Sequence, residues 1–374
     1  MRIGFDAKRA SGNSTGLGNY SRYTIEILSE FYPDNEYVLF TPKRNPHPRL
    51  QTIRSRSNVR FVYPSGGYRF FSSLWRSRGV ARDIAANGIS IFHGLSNELP
   101  MQTPAGAKTV VTVHDLIFLR YPQFYKPADR AIYRFKFRSA CRRADRIIAV
   151  SECTKRDIVS FFRIPEEKIN VVYQGCDPVF ATAPSEETKR RIAGKYGLPP
   201  VYLLNVGSIE SRKNLLLAVK ALKRLPAEIH LVAVGKSTPY RTETEKYAAQ
   251  AGLGSRLHLF DNVPTDDLPA LYRMASVFVY PSFFEGFGIP IIEALTSGTP
   301  VVAATGSCLE EAGGAHSLYV DPNDDEDLSA KIISILNNSS LAAQMREKGR
   351  EYAQRFSGAK IAAEMMNIYR EVVR

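Results

Sequence analysis

The sequence predicts an α/β protein made of two doubly wound parallel-sheet domains. Short apolar runs alternate with helix-like stretches almost from end to end. The runs fall into two series, and a helix-like, proline-bearing stretch near 178–200 separates them. Strand–helix alternation of this kind is the mark of parallel sheets covered by helices. The 374 residues suffice for roughly two to three domains.

The first series contains RIGFDA (2–7), YVLF (37–40), VRFVY (59–63), IFHG (91–94), TVVTVHD (109–115), RIIAVS (146–151) and INVVY (169–173). The second contains VYLLNVG (201–207), EIHLVAVG (228–235), RLHLF (256–260), VFVY (277–280), TPVVAA (299–304) and SLYVD (317–321). The predicted boundaries are 1–177 for the first domain and 178–357 for the second. A tail at 358–374 reads as one amphipathic helix, with Ile361, Met365, Ile368 and Val372 on a single stripe. It is expected to pack back toward the first domain. Ligands of such sheets bind beyond the carboxyl ends of the strands, so the expected site is a cleft between the two domains.

Composition narrows the class. No run approaches the ~18 uninterrupted apolar residues of a spanning helix. The start, MRIGFDAKRASG, reads as a first strand and not as a signal peptide, because its apolar stretch is short and Asp6 interrupts it. Cys141, Cys153, Cys176 and Cys308 form no CxxC pair and no Cys/His cluster of metal-ligand spacing, which fits free thiols in a reducing cytoplasm. A net charge of +13 asks for an anionic partner: nucleic acid, anionic lipid or a phosphorylated small molecule.

Residues 280–293, YPSFFEGFGIPIIE, carry the strongest signal. The apolar run SVFVY ends at Pro281-Ser282. Glu285 follows, then Gly286 and Gly288, then Pro290, then Glu293. This predicts a strand, a glycine loop and a helix whose mouth presents backbone amides to an anion. Ionised glutamates only accept hydrogen bonds, so they suit sugar hydroxyls. The segment NVGSIESRKN (205–214) ends another strand at Gly207 and then offers Arg212 and Lys213, a fork and a point charge for a diphosphate.

Three further features bear on the chemistry. Gly12, Gly16 and Gly18 read as a loop between the first strand and a helix at 20–31. Their spacing matches neither GxGxxG nor GxxxxGK[ST], so NAD and P-loop chemistry are unsupported. His114-Asp115 closes the run TVVTV, where an imidazole can meet substrate or shuttle a proton, or simply serve as a satisfied structural histidine. His93 is a weaker case of the same kind. GxSxG and HExxH are missing, and the acidic string at 321–327 reads as helix capping and solvation and not as a metal site.

Together these segments resemble the retaining glycosyltransferases of the large family four, with the GT-B fold of two Rossmann-like domains facing across a cleft. The resemblance is carried by Glu285-Gly286-Phe287-Gly288 with Glu293, by VGSIESRKN, by His114-Asp115 and by Gly16 and Gly18. VSECTKRDI (150–158) and YQGCDPVF (173–180) add to it. It implies that Glu293 holds the ribose hydroxyls of a nucleotide and that Glu285 sits by the donor sugar. The Phe287 and Gly288 amides, beside Gly286, would face sugar and diphosphate. Lys213 with Arg212 would neutralise the leaving diphosphate beside Gly207 and Ser208. Gly16, with Gly18, would approach that diphosphate from the other domain, and His114 would contact the donor sugar. The base would lie near Val263 and Thr265. Many members carry Arg where this chain has Ser208, and Arg212 is the candidate replacement. The run RKN resembles a mannosyltransferase-like subset.

The implied function is a retaining hexosyl transfer from a nucleotide-diphosphate sugar, with GDP-mannose as the leading donor. The implied acceptor is a glycan or lipid-linked acceptor in bacterial-type surface polysaccharide or lipopolysaccharide synthesis. Neither a metal nor a cofactor is expected, since fixed cations and helix-mouth amides can stabilise the departing charge. The alternatives are a nucleotide-sugar epimerase or a phosphorylase on the same fold, or a non-catalytic binder of anionic polymer. No nucleic-acid module is recognisable, so no nucleic-acid partner is expected.

The basic residues cluster with aromatics. Residues 120–146 hold nine Arg or Lys against two Asp, with Tyr133, Phe135 and Phe137 between them. Residues 68–82 mix Phe70, Phe71, Leu74 and Trp75 with Arg69, Arg76, Arg78 and Arg82. This predicts peripheral contact with an anionic membrane on the cytoplasmic face. The bland alternative is a solvated basic face over a core stripe.

Overall fold

The computed structural model describes all residues except Ser14, Lys43, Asn45, Pro46 and Arg49. The chain divides into two compact units, Met1–Gly175 with Gly358–Arg374, and Cys176–Ser357. The predicted boundary at 177/178 therefore falls at 175/176, and the terminal helix belongs to the first unit.

The first unit is built on a seven-stranded sheet with the order β3-β2-β1-β4-β5-β6-β7. The strands are β1 (Arg2–Asp6), β2 (Glu36–Phe40), β3 (Val59–Val62), β4 (Ile91–Gly94), β5 (Lys108–Val113), β6 (Arg146–Ala149) and β7 (Ile169–Val171). Every pairing is parallel. Parallel strands are buried on both faces, which is why the sequence shows continuous apolar runs and little alternation. In β5, for instance, only Lys108 is exposed.

The helix Gly358–Val373 closes this unit. It buries Ile361, Met365, Met366, Ile368, Tyr369 and Val372 in the same core as β1 and the helix Gly16–Phe31. Gly358 allows the approach, since a Cβ there would lie 2.9 Å from Ile27 Cγ2. Deeper in, Tyr369 Oη hydrogen-bonds His93 Nδ1 at 2.6 Å, and His93 Nε2 meets Thr112 Oγ1 at 2.8 Å. Thr112 Oγ1 in turn lies 3.0 Å from Tyr20 Oη. Burial, with help from His114, brings the His93 pKa down to about 3, so the ring is neutral. His93 is thus a core histidine.

The second unit carries a six-stranded parallel sheet with the order β10-β9-β8-β11-β12-β13. Its strands are β8 (Tyr202–Val206), β9 (His230–Val234), β10 (Leu257–Phe260), β11 (Val277–Tyr280), β12 (Val301–Ala304) and β13 (Leu318–Val320). Every predicted run forms a strand. Both sheets reverse their strand order at one place, between β1 and β4 in the first and between β8 and β11 in the second. At such switch points the loops diverge and leave a crevice beyond the carboxyl ends.

The N-terminal glycines are a correction. Helix Gly16–Phe31 begins four residues earlier than expected, so Gly16 and Gly18 form its first turn and not a loop. A shorter helix, Lys8–Gly12, precedes it. Gly18 is required by packing, because a Cβ there would sit 1.8 Å from the Asn13 carbonyl oxygen.

Replacing Tyr369 with Phe removes the hydroxyl that satisfies His93 and leaves a buried ring nitrogen unpaired. The expected cost is about 1–3 kcal/mol, read as a lower denaturant midpoint. An unchanged midpoint would show that this bond does not anchor the terminal helix.

Candidate functional site

The switch point of the second unit brings together two segments about 70 residues apart in sequence. After β8 the chain passes Gly207 and Ser208 and forms a short 3-10 turn, Ser211–Lys213. After β11 it runs through residues 281–288 into the helix Ile289–Ser297, with Pro290 in its first turn. Backbone and side-chain bonds lash the two loops together. Phe283 N donates to Arg212 O at 2.9 Å, and Arg212 Nη1 donates to Phe284 O at 2.6 Å. Asn214, held at φ +56°, donates from Nδ2 to Pro281 O at 3.1 Å and to Pro322 O at 2.7 Å.

Glu285 occupies the centre. Its Oε2 lies 2.8 Å from Arg212 Nη1, and its Oε1 lies 2.8 Å from Lys213 Nζ. The Tyr280 hydroxyl accepts from Lys213 Nζ at 2.7 Å and donates to Glu285 Oε1 at 3.1 Å. Arg212 Nη2 also pairs with Glu210 Oε1 at 2.7 Å. The Glu285, Arg212 and Lys213 side chains are only 13–15% exposed, so water screens these pairs weakly. Gly207 makes room for the lysine, whose stem would lie 3.1 Å from any Cβ there.

Burial alone would raise the Glu285 pKa, but the Arg212 and Lys213 charges outweigh it and bring it down to about 2. The same attraction overrides burial at both cations and raises their pKa values. All three groups are ionised at neutral pH. Two cations and two carboxylates, Glu285 and Glu210, leave the cluster close to neutral overall. The cations expected to await a diphosphate are therefore already matched.

The glycine loop has its own support. Gly288 adopts φ +135°, and a Cβ there would meet Ala312 Cβ and Leu309 Cδ2 at 3.2 Å, so glycine suits both the angle and the space. The buried Cys308 thiol lies 3.0 Å from Glu285 O and 2.9 Å from Phe287 O, which turns both carbonyls inward. On the next helix Glu293 accepts from the Tyr272 hydroxyl at 2.7 Å. Burial and the adjacent Glu293 charge hold the Tyr272 pKa well above the usual phenol range, so that hydroxyl remains a donor.

Ser208, Val263 and Thr265 also belong to the second unit. Ser208 is half-buried in the loop after β8, and its carbonyl accepts from Glu210 N at 3.0 Å. Val263 and Thr265 follow β10, the edge strand two places from β8. Gly16, Gly18 and His114 belong to the first unit.

His114 follows the end of β5 and is buried. Its Nε2 faces Leu95 O at 2.9 Å, and Gln174 Nε2 faces its Nδ1 at 3.2 Å. The carbonyl fixes Nε2 as the protonated nitrogen, and Gln174 donates to Nδ1. Burial lowers its pKa to about 4 despite the Leu95 carbonyl, so the ring is neutral at pH 7. At the switch point of this unit, Arg76 pairs with Asp6 at 2.5 Å and with Glu98 at 3.3 Å.

Sequence reasoning gave no role to Glu210, Tyr272, Tyr280 or Cys308. Tyr280 had a signal, as the one polar tip at the end of the run SVFVY, and Glu210 stood inside the quoted loop. Tyr272 and Cys308 had none. The acidic string resolves into capping: Asp324 Oδ1 accepts from Glu326 N and Asp327 N at the start of helix Asp325–Asn337. Among the described residues, no helix is long and apolar enough to cross a membrane.

Residues 19–180 match the model of Glycosyltransferase Family 4, and residues 185–352 match that of Glycosyl transferases group 1. The O-antigen chain mannosyltransferase B of Escherichia coli is 32% identical, over 99% of this chain and 100% of that protein. The O-antigen chain mannosyltransferase RfbU of Salmonella typhimurium is 28% identical, over 60% of each chain. Among solved structures, Anabaena Alr3699/HepE in complex with UDP and glucose superposes with a TM-score of 0.77 at 17% identity, covering 99% of this chain and 100% of that one. Two family models that between them take in nearly the whole chain, and a full-length relative above 30% identity, agree with the two parallel sheets: the chain belongs to the family 4 glycosyltransferases of GT-B fold.

Proposed function

We propose that this enzyme transfers a mannosyl residue, with retention, from GDP-mannose to a glycan or lipid-linked acceptor during surface-polysaccharide synthesis. The observation that carries this reading is the Arg212–Glu285–Lys213 cluster, which sits at a strand-order switch point beside a helix mouth. The mannosyl assignment is supported by the full-length O-antigen mannosyltransferase relative.

In this reading the nucleotide lies beyond the carboxyl ends of β8 and β11. Glu293, steadied by Tyr272, accepts the ribose hydroxyls. The diphosphate lies against Lys213, Arg212 and the first turn of helix Ile289–Ser297, whose dipole favours an anion. As the glycosidic C–O bond breaks, negative charge grows on the diphosphate, and these fixed groups stabilise it without reorganising. No divalent metal is required for that step. His114, being neutral and fully bonded, orients neighbouring backbone and does not act as a proton shuttle.

The first unit offers a surface for the acceptor's lipid. Phe70 and Phe135 are 85% and 67% exposed, and Phe71, Leu74 and Ile132 are exposed as well. Glu98 joins the two segments that carry them, through Arg76 on one side and Lys136 at 3.2 Å on the other. Two readings of these stretches need correction. Trp75 is buried, with Nε1 donating to Asp83 Oδ2 at 2.6 Å, and Arg76 is ion-paired, so neither faces outward freely. Tyr133 and Phe137 pack on Phe118. What remains exposed is Phe70, Phe71 and Leu74 on one segment and Ile132 and Phe135 on the other, with Arg69, Arg78 and Arg134 exposed among them. Such a surface suits anionic lipid headgroups.

Lys213→Ala is expected to lower turnover by two or more orders of magnitude, and Glu293→Gln to raise the donor KM with a smaller effect on kcat. Assays with GDP-mannose and single-turnover kinetics separate the two, and full activity in the lysine variant would remove the diphosphate role. Flotation with phosphatidylglycerol vesicles at low salt should carry the protein upward, and a Phe70→Ser/Phe71→Ser variant should stay below. Equal flotation of both would reject the role of these exposed aromatics. Acid titration gives a third outcome. Glu285 titrates at about 2 when folded, against 4.5 for the free group. Its depressed pKa therefore contributes stability above 4.5 that drains away as pH falls toward 2. The melting-temperature gap between wild type and Glu285→Gln should be constant above pH 5 and narrow steadily toward pH 3, and a gap that does not narrow would contradict the ion pairing.

A further inference from the structure

Glu285 occupies both cations in the way a phosphate would. One oxygen takes Arg212 Nη1, the other takes Lys213 Nζ, and each distance is 2.8 Å. The cations are fixed by other means as well. Arg212 is bonded to Phe284 O and Glu210, while Lys213 is bonded to Tyr280 Oη and lies with Nζ 5.1 Å from that ring's centroid. The backbone on both sides of the Gly286 peptide is held by Cys308. Turning the Glu285 side chain therefore frees two placed cations without moving the loop that carries it.

We propose that Glu285 is a displaceable counter-ion, which pairs Arg212 and Lys213 in the empty site and competes with the nucleoside diphosphate for them, so that product leaves quickly. The inference rests on the reading of these cations as the diphosphate site. With both carboxylates in place the cluster is near neutral, and an incoming diphosphate gains little net attraction until Glu285 turns away. Once the sugar carbon has passed to the acceptor oxygen and its bond to the β-phosphate oxygen has broken, the nucleoside diphosphate ends in a terminal phosphate, with more negative charge than the sugar ester it came from. It would be the tightest ligand of an unopposed Arg–Lys pair. A carboxylate that returns to the cations offsets that affinity. While displaced, the same carboxylate is available to accept hydroxyls of the donor sugar, so both roles fit one side chain.

Titration calorimetry with GDP, UDP and ADP tests this on the wild-type, Glu285→Gln and Lys213→Ala proteins. Whichever nucleotide binds the wild type should bind Glu285→Gln at least about tenfold more tightly, with a steeper loss of affinity as salt rises, because one opposing charge is gone. In turnover the same variant should show stronger inhibition by that nucleotide and a lower kcat. Binding to Glu285→Gln that is equal to or weaker than wild type, for all three nucleotides, overturns the inference. If Lys213→Ala binds as the wild type does, the diphosphate reading itself fails. If Lys213→Ala weakens while Glu285→Gln does not tighten, only the counter-ion role fails. Should Glu285→Gln not fold, Glu285→Asp carries the test. Its shorter arm cannot span both cations, so it too should tighten binding, by a smaller factor, and no tightening there counts equally against the inference.

Discussion

The carboxylate of Glu285 between Arg212 and Lys213 is the interaction on which the second unit's functional end depends. It joins the loop after β8 to the loop after β11 across the point where the sheet reverses its order. A buried ion pair is rarely a large net source of stability, because desolvation offsets most of the attraction. Its value here is positional. Removing any one member would leave buried charge unmatched, so the three groups fix one another, and they fix the mouth of helix Ile289–Ser297 beside them. Cations fixed in advance in this way need not reorganise when an anion arrives.

The strands were legible because a parallel sheet buried on both faces writes itself as apolar runs, and all thirteen runs named from sequence form strands. The places where sequence reasoning failed are those where tertiary contact overrides local preference. Gly16 and Gly18 read as a loop because glycine disfavours helix, yet the Asn13 carbonyl packs so closely on Gly18 that only glycine fits the first turn. Arg76 read as a surface charge because its neighbours are basic and aromatic, while its partners Asp6 and Glu98 lie 70 and 22 residues away in the chain.

The site was half legible. Residue types at 212, 213, 285 and 293 announce a polar anion site, and the family match decides between a transferase and the other readings of the same fold. What spacing could not reveal is charge balance. Arg212 and Lys213 look like two uncommitted cations when read along the chain. Glu285, seventy-odd residues on, looks like a separate carboxylate with its own task. Only their proximity shows that each is the other's counter-ion. Tyr280 and Cys308 were missed for the same reason, since a phenol at a strand end and a lone thiol acquire meaning only from what they face.

The two units place charge by the same topological logic. Each sheet reverses order once, and at each reversal an arginine from a following segment meets a carboxylate. In the first unit Asp6 ends β1 and receives Arg76, with Glu98 following β4. In the second, Arg212 follows β8 and Glu285 follows β11. Diverging loops expose strand ends at these points, and exposed strand ends leave backbone groups and side chains that water or a ligand must satisfy. A matched ion pair meets that demand while the crevice is empty and, being made of side chains, can be rearranged when a ligand enters. The fold thus supplies the crevice, and the sequence supplies a charge pair able to fill it or to yield it.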